Sequence, residues 1–322
     1  MGFRAFAARL AAAFVLAAPA FAQEWPAGPV RIIVPFGPGS TPDLVARVVA
    51  DKLSPRIGKP VIVENKPGAA GNIGTDAVAK AAPDGQTIGL SIAGPLGVNS
   101  LLFRHLAYDP RKDLAPVTIA ATQPSVLVVA PNLGVGNTEE LLALLRKNPG
   151  KYNFASMGGG TISHLAMEAL AARSGTQIVH VPYSGSGPAV LALLSGDAQL
   201  ACLPAAAVIP QIKAGKLKAL AATSQQRSDI FPDVPTFVEQ GFADTVANQW
   251  AGILAPALTP PAVIARLSAA LNAALSDADV RNKLAQAGVT PSPGTPEEFA
   301  RDLAQEIARW GALIRAKGIK GD

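Results

Sequence analysis

"VRIIVPFGPGSTPDLVAR", residues 30–47, decides the fold class. A β-branched run, Val30 to Val34, feeds a turn rich in Gly and Pro. Leu44, Val45, Val48, Val49 and Leu53 then recur at helical spacing. A strand that enters a helix through a short turn is the unit from which wound α/β sheets are built. The same alternation continues along the chain. Strands are predicted over 59–65 and 86–92, with a helix over 76–82 between them. Further strands are predicted over 124–131, 151–156, 176–183, 198–204, 217–224 and 249–256. A helix opens at Thr138-Glu139-Glu140 and runs to about Lys147. Three helices close the chain. The last opens at Thr295-Pro296-Glu297-Glu298, a cap with Pro at N1 and a capping-box Glu at N3. Its stripe is Phe299, Leu303, Ile307, Trp310 and Ile314.

The 322 residues suffice for two lobes with separate cores, and 49% hydrophobic against 16% charged residues excludes a disordered chain. The net charge of +5 is spread without a basic block, and aromatics are only 5%, which speaks against a nucleic-acid surface. The first 22 residues read as a cleaved export signal. Arg4 and Arg9 precede the apolar "LAAAFVLAAPAFA", and Ala20-Phe21-Ala22 fits the small-x-small cleavage rule. That apolar run falls short of the ~20 residues that span a bilayer. The lone Cys202 lies far from the cleavage point and excludes an internal disulfide, so the cores must carry the stability. In its apolar run it reads as a small buried hydrophobe.

The opening turn has an echo. "PFGPGSTPDLVAR" and "ASMGGGTISHLAME" share one plan: strand, Gly-rich turn, Thr, helix. The shared spacing sets Thr41 against Thr161, and Ala46 against Ala166. A helix N-terminus presents unpaired N–H groups and partial positive charge, and glycines let a ligand approach them. Thr41 is predicted as the N-cap with Pro42 at N1. Ser40, Thr41, Ser156 and Thr161 add neutral hydroxyls. Such a pair suits a carboxylate or another small anion. Taken singly, each turn reads equally well as a tight, well-capped strand–helix connection. The two turns suit a triphosphate poorly, because G-x-x-x-x-G-K-[ST] is missing, and Gly37-Pro38-Gly39 does not have dinucleotide spacing. Asp43 and Arg47, four apart, read as a structural ion pair. His105, His164 and His180 have no metal-ligand spacing, and no G-x-S-x-G elbow occurs. His164, on the helix after the second turn, reads as structural or capping. Tyr183 reads equally as a cleft residue and as a packed ring with its hydroxyl at the rim. No metal, cofactor or catalytic group is expected.

These segments resemble the periplasmic substrate-binding proteins of tripartite tricarboxylate transporters, the Bug receptor family. The likeness covers essentially all of the chain after the export signal. It includes "WPAGPVRIIVPFGPGSTPDLVARVVADKLS", "GKPVIVENKPGAAGNIGTDAVAKAAPDGQTI", "YNFASMGGGTISHLAMEAL", "HVPYSGSGPAVLALLSGDAQ" and "FPDVPTFVEQGF". The resemblance implies a two-lobed α/β Venus-flytrap fold of the type II periplasmic-binding-protein kind. Each lobe is a wound, mostly parallel sheet flanked by helices. Lobe one is expected from 23–124 plus 246–322 and lobe two from 125–245. The family grips a ligand carboxylate between two loops, through backbone N–H groups, hydroxyls and waters rather than a cationic side chain. Carried over by position, the first loop is Gly39, Ser40 and Thr41. Ser40 stands where the family usually has a second Gly, and Pro42 removes one donor. The second loop is Ser156, Gly159, Gly160 and Thr161. Tyr183 matches a Tyr-Lys-Gly turn, with Ser184 in place of the Lys. Leu203 falls where the family often has an Asp, which speaks for a carboxylate without an ammonium group. "AGPLGVNS", with Gly94 and Pro95, resembles a third cleft-lining loop. The implied protein is a monomeric periplasmic receptor, not an enzyme, that passes a small carboxylate to membrane permease subunits. Two other readings are a module presenting ligand to a receptor kinase, and a hydrolase or isomerase using Ser156 and His164.

Overall fold

A computed structural model of the chain describes residues 25–227, 231–242 and 247–319. The export signal expected at 1–22 lies outside them. The opening stretch forms strand β1 (Val30–Val34) and helix α1 (Thr41–Ile57). β1 lies between two neighbours, and all of its residues but Arg31 are buried. That position explains why it reads as an unbroken apolar run rather than an alternating one. Val45, Ala46, Val49, Ala50 and Leu53 form the buried face of α1. After it come β2 (Val61–Asn65), α2 (Asn72–Ala79), β3 (Thr87–Ile92), a π-turn (Gly94–Val98) and the single-turn α3 (Asn99–Leu102). β4 (Leu114–Gln123) then runs straight into β5 (Ser125–Val129) through Pro124.

The next segment holds α4 (Thr138–Lys147), β6 (Asn153–Ser156), α5 (Ile162–Ser174), β7 (Val179–Pro182) and α6 (Ser186–Ser195). β8 (Leu200–Pro204), α7 (Ala205–Lys213) and β9 (Lys218–Ala222) complete it. The chain then returns as β10 (Gln249–Pro256), α8 (Pro261–Leu275), α9 (Ala278–Gln286), β11 (Thr290–Pro291) and α10 (Pro296–Lys317). Thr295 caps α10 in a full capping box with Glu298. Among the described residues no helix is long and apolar enough to cross a membrane.

The strands make two sheets, in the orders β11-β4-β10-β3-β1-β2 and β7-β6-β8-β5-β9. Both are mixed. The wound parallel parts expected from strand–helix alternation are β2-β1-β3 and β7-β6-β8. β10, β4 and β11 join the first sheet antiparallel, and β5 joins the second antiparallel to both neighbours. The antiparallel members include β4, β5 and β10, through which the chain changes sheets. β4 is the strand the sequence patterning passes over. Pro116 interrupts it, and the ladder absorbs that proline beside a register shift between Ile253 and Leu254.

The outward passage between the sheets lies at Pro124. The return placed near residue 246 falls within 243–246, outside the described residues. Thr223 ties the two passages together. Its N–H donates to Ser125 O at 2.8 Å, and its Oγ1 accepts from Ser125 N–H at 2.9 Å. The same hydroxyl donates to Ala247 O at 2.9 Å, and Ala247 N–H donates to Thr223 O at 3.2 Å. Cys202 is buried in β8, and burial pushes its thiol up to about 12.

Candidate functional site

The two Gly-rich turns stand at the C-terminal ends of β1 and β6, where open α/β sheets bind ligands. Their backbones are near copies. Gly39 has φ +78 and Gly160 φ +77, a left-handed conformation that costs glycine little. Ser40 and Thr161 follow, each at φ −72 and ψ 158, and each is the N-cap of its helix. Ser40 N–H donates to Gly37 O at 3.2 Å, and Thr161 N–H to Gly158 O at 3.3 Å. Gly39 N–H donates to Asp43 Oδ2 at 2.9 Å, and Gly160 N–H to His164 Nδ1 at 3.1 Å. The repeat is therefore real, but in a register shifted by one residue. Ser40, not Thr41, is equivalent to Thr161, and Pro42 sits in the second helical position. There its missing N–H breaks no helical bond, because the first turn has no carbonyl to receive one.

In the first turn Asp43 organises the loop. Beyond Gly39, it accepts from Arg47 Nε at 3.1 Å and from Asn65 Nδ2 at 2.9 Å, and Arg47 closes the expected ion pair at 2.9 Å. Burial pushes its carboxyl up, but the bonds from Arg47, Gly39 and Asn65 outweigh that and hold it below the usual carboxylate range. The loop's own hydroxyls are left over. Ser40 Oγ and Thr41 Oγ1 are buried and have no hydrogen-bond partner among the described residues. The N–H groups of Thr41 and Asp43 are likewise unpartnered among the described residues, as a helix start leaves them.

In the second turn the side-chain hydroxyls are all engaged. Thr161 Oγ1 donates to Gly158 O at 2.7 Å and lies 2.8 Å from Ser163 Oγ, which accepts from Met157 N–H at 2.9 Å. Ser156 Oγ accepts from Gly158 N–H at 3.0 Å and lies 2.6 Å from His180 Nε2. His180 stacks on His164 with centroids 3.8 Å apart and planes at 6°. Burial first, and the neighbouring His164 second, depress the His180 imidazole to about 3. It is therefore neutral near pH 7. Gly159, Ile162 and Ser163 keep N–H groups without a partner among the described residues.

The turns meet at the seam between the sheets. Thr41 and Pro42 from the first and Met157 from the second line one cavity of about 10 Å³, with Pro204 and Gln249. A Cβ on Gly160 would lie 2.5 Å from Asn99 Oδ1 and would also meet Leu102, so both side chains would have to shift, and its φ of +77 independently favours glycine. Gly94 meets the same loop, since a Cβ there would lie 3.4 Å from Gly160 O. Pro95 carries the carbonyl that accepts from Tyr108 Oη at 2.6 Å. Ser156 and Thr161 are fully buried beneath the loop surface. Two anticipated residues stand apart. Tyr183 donates its N–H to Ser156 O at 3.0 Å and lines an outer groove with Pro188, Leu191 and Leu194. Leu203 packs in the core and is fully buried.

Sequence reasoning assigned no role to Ala70 or His180, and named Asn99 only as part of the loop "AGPLGVNS". The "PGAAG" turn after β2 brings Ala70 to the seam, where a Cβ on Gly158 would lie 3.1 Å from Ala70 Cβ. Ala69 and Ala70 hold φ of +46 and +54, strained for residues with a side chain. Asn99 donates from Nδ2 to Asn72 Oδ1 at 2.6 Å while its Oδ1, aimed at Gly160, has no partner among the described residues. His180 supports Ser156 from a neighbouring strand. The flanking glycines of "PGAAG" were a readable signal. A paired strand position such as His180 is not.

The arrangement can hold an anion through neutral donors. It offers hydroxyls and helix-start N–H groups, and Arg47, one turn further along α1, is engaged by Asp43. Known proteins match the chain over most of its length. Residues 45–319 match the family described as tripartite tricarboxylate transporter family receptor. The chain is 41% identical over 308 residues to Protein BugT of Bordetella pertussis, covering 95% of this chain and 94% of that protein. A structure of R. palustris Rpa4515 with adipate superposes with a TM-score of 0.89 at 32% identity, covering 92% of this chain and 99% of that one. MatC from Rhodopseudomonas palustris with bound malate superposes with a TM-score of 0.85 at 32% identity, covering 90% and 100%.

Proposed function

The chain belongs to the tripartite tricarboxylate transporter receptor family, and from that premise we propose that it captures a small carboxylate at the seam between its two sheets. The lobes would be 23–124 plus 246–322 and 125–245, closing about the passages near Pro124 and Thr223. The export signal at 1–22 would place it in the periplasm, as a monomer. There it would hand its ligand to membrane permease subunits.

The observation that carries this reading is the pair of buried, unpartnered hydroxyls, Ser40 Oγ and Thr41 Oγ1, at the start of the 17-residue α1. A buried polar atom without a partner costs about 1–3 kcal/mol, which a bound acceptor would relieve. A carboxylate accepts from hydroxyls and N–H groups at once, and the helix end favours its charge. Adipate and malate in the two solved relatives support that ligand class. A Ser–His enzyme is the weaker reading. Ser156 is fully buried and its partner is His180 rather than His164, with no carboxylate bonded to His180 among the described residues.

Calorimetry and thermal-shift screening of mono-, di- and tricarboxylates, aromatic acids, amino acids and sugars test the proposal. Saturable binding of a carboxylate without turnover is expected. Binding confined to uncharged sugars would overturn it.

A further inference from the structure

Gln249 opens β10, where the chain re-enters the first sheet, and pairs there with Gln123 on β4. Gln123 has a role inside the chain, because its Oε1 accepts from Ala206 N–H at 3.1 Å. Gln249 has none. It is 3% exposed, and its Nε2 is buried without a hydrogen-bond partner among the described residues. It lines the same cavity as Thr41, whose Oγ1 is equally unpartnered. The two orphaned donors come from different elements, a helix start and a strand at the sheet passage. Desolvating a primary amide to no purpose costs free energy that an apolar residue would not.

We infer that Gln249 is a specificity-determining residue whose side-chain amide receives the second polar group of a bifunctional carboxylate, the first carboxylate lying at the Ser40–Thr41 turn. The inference rests on the proposed receptor function and names its ligand class more narrowly. A site built to donate a hydrogen bond discriminates strongly against a ligand that cannot accept one, because its donor is then buried unpaired. A cavity of about 10 Å³ holds about one water. Admission of a dicarboxylate therefore requires the sheets to part at the passages that Gln249 and Gln123 flank.

The test compares adipate with hexanoate and malate with 2-hydroxybutyrate by calorimetry. Each monocarboxylate matches its partner in chain length and has a methyl group in place of one carboxylate. Wild-type protein is expected to prefer the dicarboxylates. Gln249→Met, similar in length but without the amide, is expected to lose roughly 10- to 100-fold in affinity for the preferred dicarboxylate and to leave the monocarboxylate unchanged. Gln249→Glu is expected to lose more, through like-charge repulsion. The melting temperature without ligand verifies that each variant folds. Equal losses for both acids of a pair, no loss in either variant, or a wild-type preference for the monocarboxylates would overturn the inference alone. Wild-type protein that binds none of the four acids would overturn the receptor reading and the inference with it.

Discussion

Thr41 buries a hydroxyl without a partner among the described residues, so its contribution to folding and its contribution to binding have opposite signs. Thr41→Val removes an unsatisfied oxygen and keeps the shape. Melting without ligand is expected to be unchanged or slightly raised, while carboxylate affinity falls roughly tenfold. A residue with a purely structural role would move both together. His180 gives a second residue-scale prediction. Its imidazole is depressed from 6.5 to about 3 in the folded chain. Between those values the unfolded chain binds a proton that the folded chain refuses. Its contribution is therefore intact above pH 6.5 and is lost progressively on acidification towards pH 3, amounting to several kcal/mol in order of magnitude. Denaturant melts at pH 7.5 and 4.5 are expected to differ less for His180→Gln than for wild type. An equal slope in both would show that other groups carry the acid sensitivity.

The two loop–helix units share dihedrals but differ in chemistry. At equivalent places the first has Asp43 with Arg47 and the second His164 with Glu168, whose Oε1 lies 3.7 Å from His164 Nε2. Each pair fixes the glycine N–H of its own turn and keeps the next residues facing the seam. Glycine matters here in two separable ways, and two alanine substitutions separate them. Gly175 ends α5 at φ +65 with open space around it, so Gly175→Ala carries only the backbone cost, about 1–2 kcal/mol. Gly160→Ala adds a collision with Asn99 and Leu102 across the seam. Both are expected to lower the melting temperature, but only Gly160→Ala is expected to weaken ligand binding as well. Equal affinities in the two variants would deny the seam its role.

At the scale of the whole molecule, two mixed sheets are joined where β4 passes into β5 and where β9 leads back to β10. Thr223 bonds both passages. Thr223→Val removes the hydroxyl that serves Ser125 and Ala247 and leaves a buried N–H and carbonyl unpaired. A loss of about 1–3 kcal/mol is expected in chemical denaturation. Scattering measurements with and without adipate or malate are expected to show compaction on binding in wild-type protein. An unchanged radius with a verified tight ligand would argue against closure about these passages.

Much of this was legible in the sequence. Apolar periodicity and Gly/Pro punctuation fixed β1, α1 and the strand–helix alternation, because local sterics and one-sided burial decide those features within a few residues. The Gly-rich turns and the Asp43–Arg47 pair were legible for the same reason. The exact cap was not. The shared Thr drew the repeat one residue out of register, and only the matched dihedrals of Ser40 and Thr161 correct it. Tertiary structure alone decided which polar atoms are already satisfied. Thr161 is engaged within its own loop and Ser156 by Gly158 and by His180 on β7, while Ser40, Thr41, Asn99 and Gln249 each bury an atom unpartnered among the described residues. It also brought Gln249 to Thr41, some two hundred residues away along the chain. Hydrogen-bond satisfaction depends on what the fold packs beside each atom, and no local pattern records that.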